Sequence, residues 1–232
     1  MDLRIPGQAG NRRLIPQSSP KLSRSHPYPV GGTAKRALDI LVAVLALLFF
    51  SLLFLLVILL LKIADPGPAF FRHRRIGLEG RTFDCLKFRT MVCNGDDVLS
   101  RYLRAHPEAA HEWRTTRKLK NDPRVTIVGH VLRQLSLDEL PQLWNVVRGD
   151  MSIVGPRPIV ADELQLYGSS AAHYFRARPG ITGPWQVSGR NEVSYRERVA
   201  LDRHYVENWS HCRDLLIILR TIPAVIARTG TY

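Results

Sequence analysis

Acidic residues are in short supply in this chain of 232 residues: 20 Asp and Glu stand against 33 Lys and Arg, a formal net charge of +13. Such a deficit points to anionic partners, whether nucleic acid, a membrane surface or phosphorylated substrates. The first 36 residues hold seven cations against Asp2 alone, so +7 of the charge belongs to the rest of the chain and is not confined to a tail. Cysteine is scarcer still. Cys85, Cys93 and Cys212 form no CxxC pair and leave an odd count, which argues against a disulfide framework or a zinc knuckle and suits a reducing, cytosol-facing domain. Neither GxxxxGK[ST] nor a strand–GxGxxG–helix pattern occurs, so an ATP loop and a dinucleotide fold are unsupported. The length allows one domain with a real core and hardly two.

Polar residues are almost absent from one stretch. Positions 40–61 are 22 consecutive residues that are apolar except for Ser51. As a helix they reach about 33 Å, enough to cross a bilayer core. No polar stripe interrupts them, as a core helix of a soluble protein would require. The run starts too late, is too long and lacks the small-residue cleavage site of a signal peptide. Lys35 and Arg36 precede it and Lys62, Arg72, Arg74 and Arg75 follow, so the positive-inside rule places both flanks in the cytosol. A straight spanning helix does not satisfy that; a helix that enters and leaves by one face does. Ser51 marks its middle, with no Pro or Gly beside it. The chain therefore divides into a disordered basic arm (1–34), rich in Pro, Ser, Gly and Arg, a membrane-inserted helix (35–64) and a cytosolic domain (65–232). The expected fold class is α+β, mostly helical.

Asp65-Pro66-Gly67-Pro68 breaks the apolar run, and two short strands around a glycine turn then predict a hairpin over 70–91. Alternation in Lys87-Phe88-Arg89 puts both cations on one face, open to phosphate binding or to solvent alone. Residues 96–120 read as helical with a break at Pro107, and no function is assigned to them; His106 and His111 lack partners at metal-ligand spacing. The centre of the sequence is Ser136-Leu137-Asp138-Glu139-Leu140-Pro141. Ser136 and Glu139 have capping-box spacing and Pro141 suits an early turn, which predicts a helix start whose dipole attracts a phosphate and keeps Asp138 ionised. Acidic residues also occur there for stability alone. Arg133 lies five residues before Asp138, within reach of a substrate phosphate or of Glu139. Arg157 sits between Pro156 and Pro158, a rigid frame that lowers the entropy lost on gripping an anion. A second basic, glycine-punctuated loop follows over 178–190. A helix over 194–208 carries Asp202 on a partly apolar face, where a salt bridge to arginine competes with a role in a site. Residues 215–226, with Arg213, Arg220 and Arg228 nearby, fit either a membrane surface or packing on the core.

Five of these stretches, in order, resemble the bacterial sugar transferases, the monotopic polyprenol-phosphate phosphoglycosyl transferases: Lys87-Phe88-Arg89-Thr90-Met91, 136–143, 149–158, 178–190 and 201–214. The wording of 121–146 and 181–191 is most similar to exopolysaccharide-initiating members that load galactose or glucose phosphate. The resemblance implies transfer of a sugar 1-phosphate from a UDP-sugar to undecaprenyl phosphate at the inner membrane, with release of UMP and no nucleic-acid partner; it leaves a homo-oligomer open. It implies Asp138 as nucleophile, Glu139 as partner of a Mg²⁺ ion, and Arg133 and Arg157 near the donor. Lys87, Arg89, Arg178 and Asp202 fall on other motif positions with substrate-binding roles. One departure stands out: members carry Ser-Pro at the middle of the membrane helix, and here the pair is Ser51-Leu52. Leucine keeps its N–H and favours a straight helix, whereas the two-sided basic flanks favour re-entry. Two other readings compete: a membrane-tethered anion-binding module, and a hydrolase of lipid or nucleotide diphosphates.

Overall fold

The computed structural model describes residues 29–188 and 193–226. Most of the basic arm, together with Arg190 and Arg228, lies outside the described residues. The apolar run forms two helices, α1 (Gly32–Phe49) and α2 (Ser51–Ala64). They are bent by 60° at their junction, and among the described residues no single helix is long and apolar enough to cross a membrane. The straight helix favoured by Leu52 is thus not what forms. Phe50 carries the break with φ −88° and ψ 7°, without a proline. Tertiary packing accounts for it. Ala43 of α1 packs with Leu143, Val146 and Met151, whereas Val57 and Leu61 of α2 pack with Phe88 and Leu132. Each arm is held by a different part of the same domain, and the chain bends between them.

Polar contacts fix both outer ends. Buried Lys35 lies 2.6 Å from Asp214 and 3.5 Å from Asp39; Asp39 in turn accepts from the Ser152 hydroxyl at 2.7 Å. Arg36 donates to the carbonyls of Val146 and Val147. At the far end, Arg89 pairs with Asp65 at 3.3 Å and donates to its carbonyl.

The predicted hairpin is strands β1 (Phe70–Ile76) and β2 (Thr82–Phe88), antiparallel, with His73 opposite Cys85 and Phe71 opposite Lys87. Helices α3 (Gly95–Ala105) and α4 (Pro107–Thr116) follow, separated at Pro107 as the sequence suggests. Then come α5 (Ile127–Gln134), capped by the Thr126 hydroxyl, and α6 (Gln142–Arg148). The three-residue strands β3 (Ser152–Val154) and β4 (Gly180–Thr182) pair in parallel, with the short helices α7 (Leu164–Tyr167) and α8 (Ala171–Tyr174) between them. Their glycines are sites of backbone crossing: a Cβ on Gly180 falls 2.1 Å from the Gly155 nitrogen. Helix α9 (Tyr195–Glu207) opens with a true capping box from Ser194 and Glu197. Helix α10 (His211–Ile226) buries Ile217 and exposes Leu215, Leu216, Leu219 and Ile222. Core packing and an unburied apolar face therefore coexist on it.

Candidate active site

The Asp-Glu pair does not open a helix. Residues Leu137–Glu139 form a single 3₁₀ turn, and α6 starts only after Pro141. Ser136 adopts φ +55° and its side chain caps nothing. The predicted capping box is absent at this position, because a left-handed serine turns the chain before a helix can form. The field of a helix start accordingly does not keep Asp138 ionised. Burial raises its pKa above the ordinary value, against the pull of Lys87 and Arg133, with Glu139 adding to the rise.

The Lys87 ammonium lies 2.6 Å from Glu139 and 3.6 Å from Asp138. Burial penalises that ammonium, but the two carboxylates outweigh the penalty and raise its pKa. Strand alternation delivers this contact, since Phe88 turns the other way into the core against Phe54 and Phe70. Arg133, on the last turn of α5, is held by the Thr90 hydroxyl at 2.9 Å. Gly129 allows that approach, because a Cβ there would meet the Thr90 carbonyl oxygen at 2.0 Å. Arg157 stands exposed between its prolines, with its guanidinium 5.2 Å from the centre of the Trp185 ring.

Asp138, Glu139, Lys87, Arg89, Arg133 and Arg157 all line one cavity of about 1290 Å³. Its walls run from these polar groups to Ala46 and Phe50 at the bend of the apolar helices. Gly95, Asp96 and Lys118 also line it, so the edges of the segment given no function reach the site. Arg89 divides its attention, since its ion pair with Asp65 also closes the end of α2.

Two predicted site residues lie elsewhere. Arg178 does not line the cavity and donates to the Gly149 carbonyl at 2.9 Å, under the β3–β4 crossing. Asp202 is 2% exposed and lies beneath the 155–158 loop. It accepts from the Tyr167 hydroxyl at 2.7 Å and lies against the Arg157 backbone amide, while Oδ1 makes no hydrogen bond of regular geometry. Burial pushes its pKa up to about 7. It is a support of the arginine loop and has no exposed face to offer a ligand. Sequence reasoning in turn missed His73, Arg75, Trp185 and Gln186 as cavity residues. The hairpin register held that signal for the first two: His73 and Arg75 share a strand face with Lys87.

Among the described residues no cluster of three His, Cys, Asp or Glu side chains stands ready to hold a metal. The Asp138–Glu139 pair nevertheless suits Mg²⁺, which commonly takes one or two protein carboxylates and completes its shell with water and substrate phosphates.

Comparison with known proteins follows the same lines. An exopolysaccharide production protein of Sinorhizobium fredii is 62% identical over 88% of this chain and 90% of its own length. An undecaprenyl-phosphate galactose phosphotransferase of Salmonella typhimurium is 49% identical over 85% of this chain and 41% of its own. A UDP-glucose:undecaprenyl-phosphate glucose-1-phosphate transferase of Caulobacter vibrioides is 42% identical over 85% of this chain and 72% of its own. Residues 30–228 match the model of the bacterial sugar transferases, and with the site described above this chain belongs to that family.

Proposed function

We propose that this protein is a phosphoglycosyl transferase that moves a hexose 1-phosphate, galactose or glucose, from a UDP-sugar to undecaprenyl phosphate in the first membrane step of exopolysaccharide synthesis. One observation carries the reading: a buried Asp138, a half-buried Glu139 and seven Lys or Arg side chains share a cavity that extends to the apolar helices. An anionic soluble donor and an anionic lipid acceptor both fit that arrangement. The names of the Salmonella and Caulobacter relatives supply the chemistry and the two candidate sugars.

In this reading Asp138 attacks the phosphorus that bears the sugar, and the bond to UMP breaks with its electron pair leaving on the UMP oxygen. The product is an aspartyl-phosphosugar. An oxygen of undecaprenyl phosphate then attacks the same phosphorus, and Asp138 departs as a carboxylate. Two moderate steps replace one difficult one. Lys87 orients Asp138 and Glu139, and Arg133 and Arg157 balance phosphate charge in a low-dielectric site. Glu139 would hold Mg²⁺, which when bound neutralises charge on the diphosphate.

The bent helix pair serves as a re-entrant membrane anchor at the inner membrane, with the catalytic domain in the cytosol. Lys35 and Arg36 at one end and Asp65 at the other are fastened to the same domain, which supports entry and exit by a single face. Phe49 and Leu52, at the bend, are 81% and 78% exposed. Each such side chain gains about 1.5–3 kcal/mol when covered by lipid.

The test uses protein in lipid nanodiscs with Mg²⁺ and UDP-galactose or UDP-glucose. Stoichiometric UMP and a sugar-phosphate adduct on Asp138 are expected without acceptor, followed by transfer once undecaprenyl phosphate is added. Asp138→Asn should abolish both. UMP formed only when donor and acceptor are present together would overturn the covalent route, and UMP formed continuously without acceptor would make the enzyme a hydrolase.

A further inference from the structure

One polar group on the cavity face of the hairpin has no part in the chemistry above. His73 faces Cys85 and Lys87 faces Phe71 across the strands, so His73 and Lys87 are diagonal neighbours on one face, roughly 7–8 Å apart. Both line the cavity. Arg75 Nη2 lies 3.1 Å from His73 Nδ1. A guanidinium only donates, so Nδ1 accepts and the ring proton sits on Nε2. Among the described residues no hydrogen bond occupies that Nε2–H. Arg75 is itself tied to the Pro158 carbonyl at 3.3 Å and to Glu163 at 3.7 Å, which fixes the ring relative to the arginine loop. Burial and the cations Arg75, Lys87 and Arg157, opposed by Glu163, lower the pKa of His73. The imidazole is therefore neutral at pH 7.

A fixed neutral N–H among full cations has a distinct use. Lys87, Arg133 and Arg157 suit phosphate oxygens, whereas a neutral donor suits an uncharged oxygen. We propose that His73 determines donor specificity, its Nε2–H donating to a hydroxyl of the hexose on the sugar-bearing phosphate. The assignment rests on Asp138 as the nucleophile. The attacked phosphorus then sits beside Asp138 and Lys87, with the hexose bonded directly to it and the uracil removed by a second phosphate and a ribose.

The experiment measures kcat/KM for the accepted UDP-hexose and for its four monodeoxy analogues (C2, C3, C4, C6), in wild type, His73→Ala and His73→Gln. Inhibition by UMP is measured in parallel and reports that each variant is folded. His73→Ala should lower kcat/KM for the full hexose about 5- to 10-fold, the scale of one hydrogen bond. With one deoxy analogue the two enzymes should agree within about twofold, as a cycle on a single contact requires. His73→Gln, which offers an amide N–H, should recover most of the loss. An equal loss with every analogue, no loss at all, or a matching weakening of UMP inhibition would overturn the inference while leaving the transferase standing. Wild-type protein that makes no UMP from either sugar nucleotide would sink both.

Discussion

Asp138, the nucleophile of the proposed mechanism, sits in a mixed environment. Burial favours its protonated form, and Lys87 and Arg133 pull it toward the carboxylate. A nucleophile must be ionised, so activity is lost as pH falls through a pKa that lies above the usual aspartate range. We expect the acid limb of UMP release to sit above about pH 3.9, the ordinary value. Lys87→Met should move that limb further up, and a pH–rate profile with no shift would refute the coupling. Asp202 behaves differently. Its folded pKa of about 7 exceeds the unfolded value of 3.8, so the native state holds a proton that the unfolded chain has released. Stability therefore falls as pH rises from about 4 to about 7, by on the order of 4 kcal/mol, and is level above that. Asp202→Asn should flatten that slope in denaturant titrations at several pH values. At this scale much of the site was readable. Pro156 and Pro158 mark Arg157, and alternation marks Lys87, because these cues are local. The left-handed Ser136, the buried Asp202 and the distant Arg178 depend on contacts across the chain that no spacing encodes.

Elements show where local rules yield to packing. The hairpin, α3, α4 and α9 lie close to where periodicity and breakers put them. Strands β3 and β4 have three residues each and pair across 28 positions, from Ser152 to Gly180, too short to leave a period. The bend in the apolar run is the sharpest case, since leucine-rich sequence favours a continuous helix. It forms because α1 and α2 dock on separate cores. Leu52 occupies the first turn of α2, where proline is tolerated. Leu52→Pro should thus keep membrane flotation and turnover within about twofold of wild type, and loss of either would mean that the helix runs straight in the bilayer.

For the whole molecule, two surfaces meet. Helices α1, α2 and α10 each expose leucines, and the cavity gathers its cations next to the bend of α1 and α2. Leu48→Glu together with Leu55→Glu, both outward-facing, should move the protein out of floating vesicle fractions while leaving the buried cores intact, as monitored by near-UV circular dichroism. Retention in the vesicles would mean that membrane attachment does not depend on this helix pair.

The pairing of Lys35 with Asp214 also imposes an order on assembly. The two partners are 179 residues apart in the chain. At about 5–20 residues per second, a growing chain takes roughly 10–35 s to make the second after the first. Through that interval the bent helix pair exists without its contact to Asp214, and Arg36 waits for the α6 carbonyls as well. Synthesis of the C-terminal helix is therefore the event that closes the molecule. A nascent chain stalled before Asp214 would leave Lys35 with its weaker partner Asp39 and without the closer contact to Asp214.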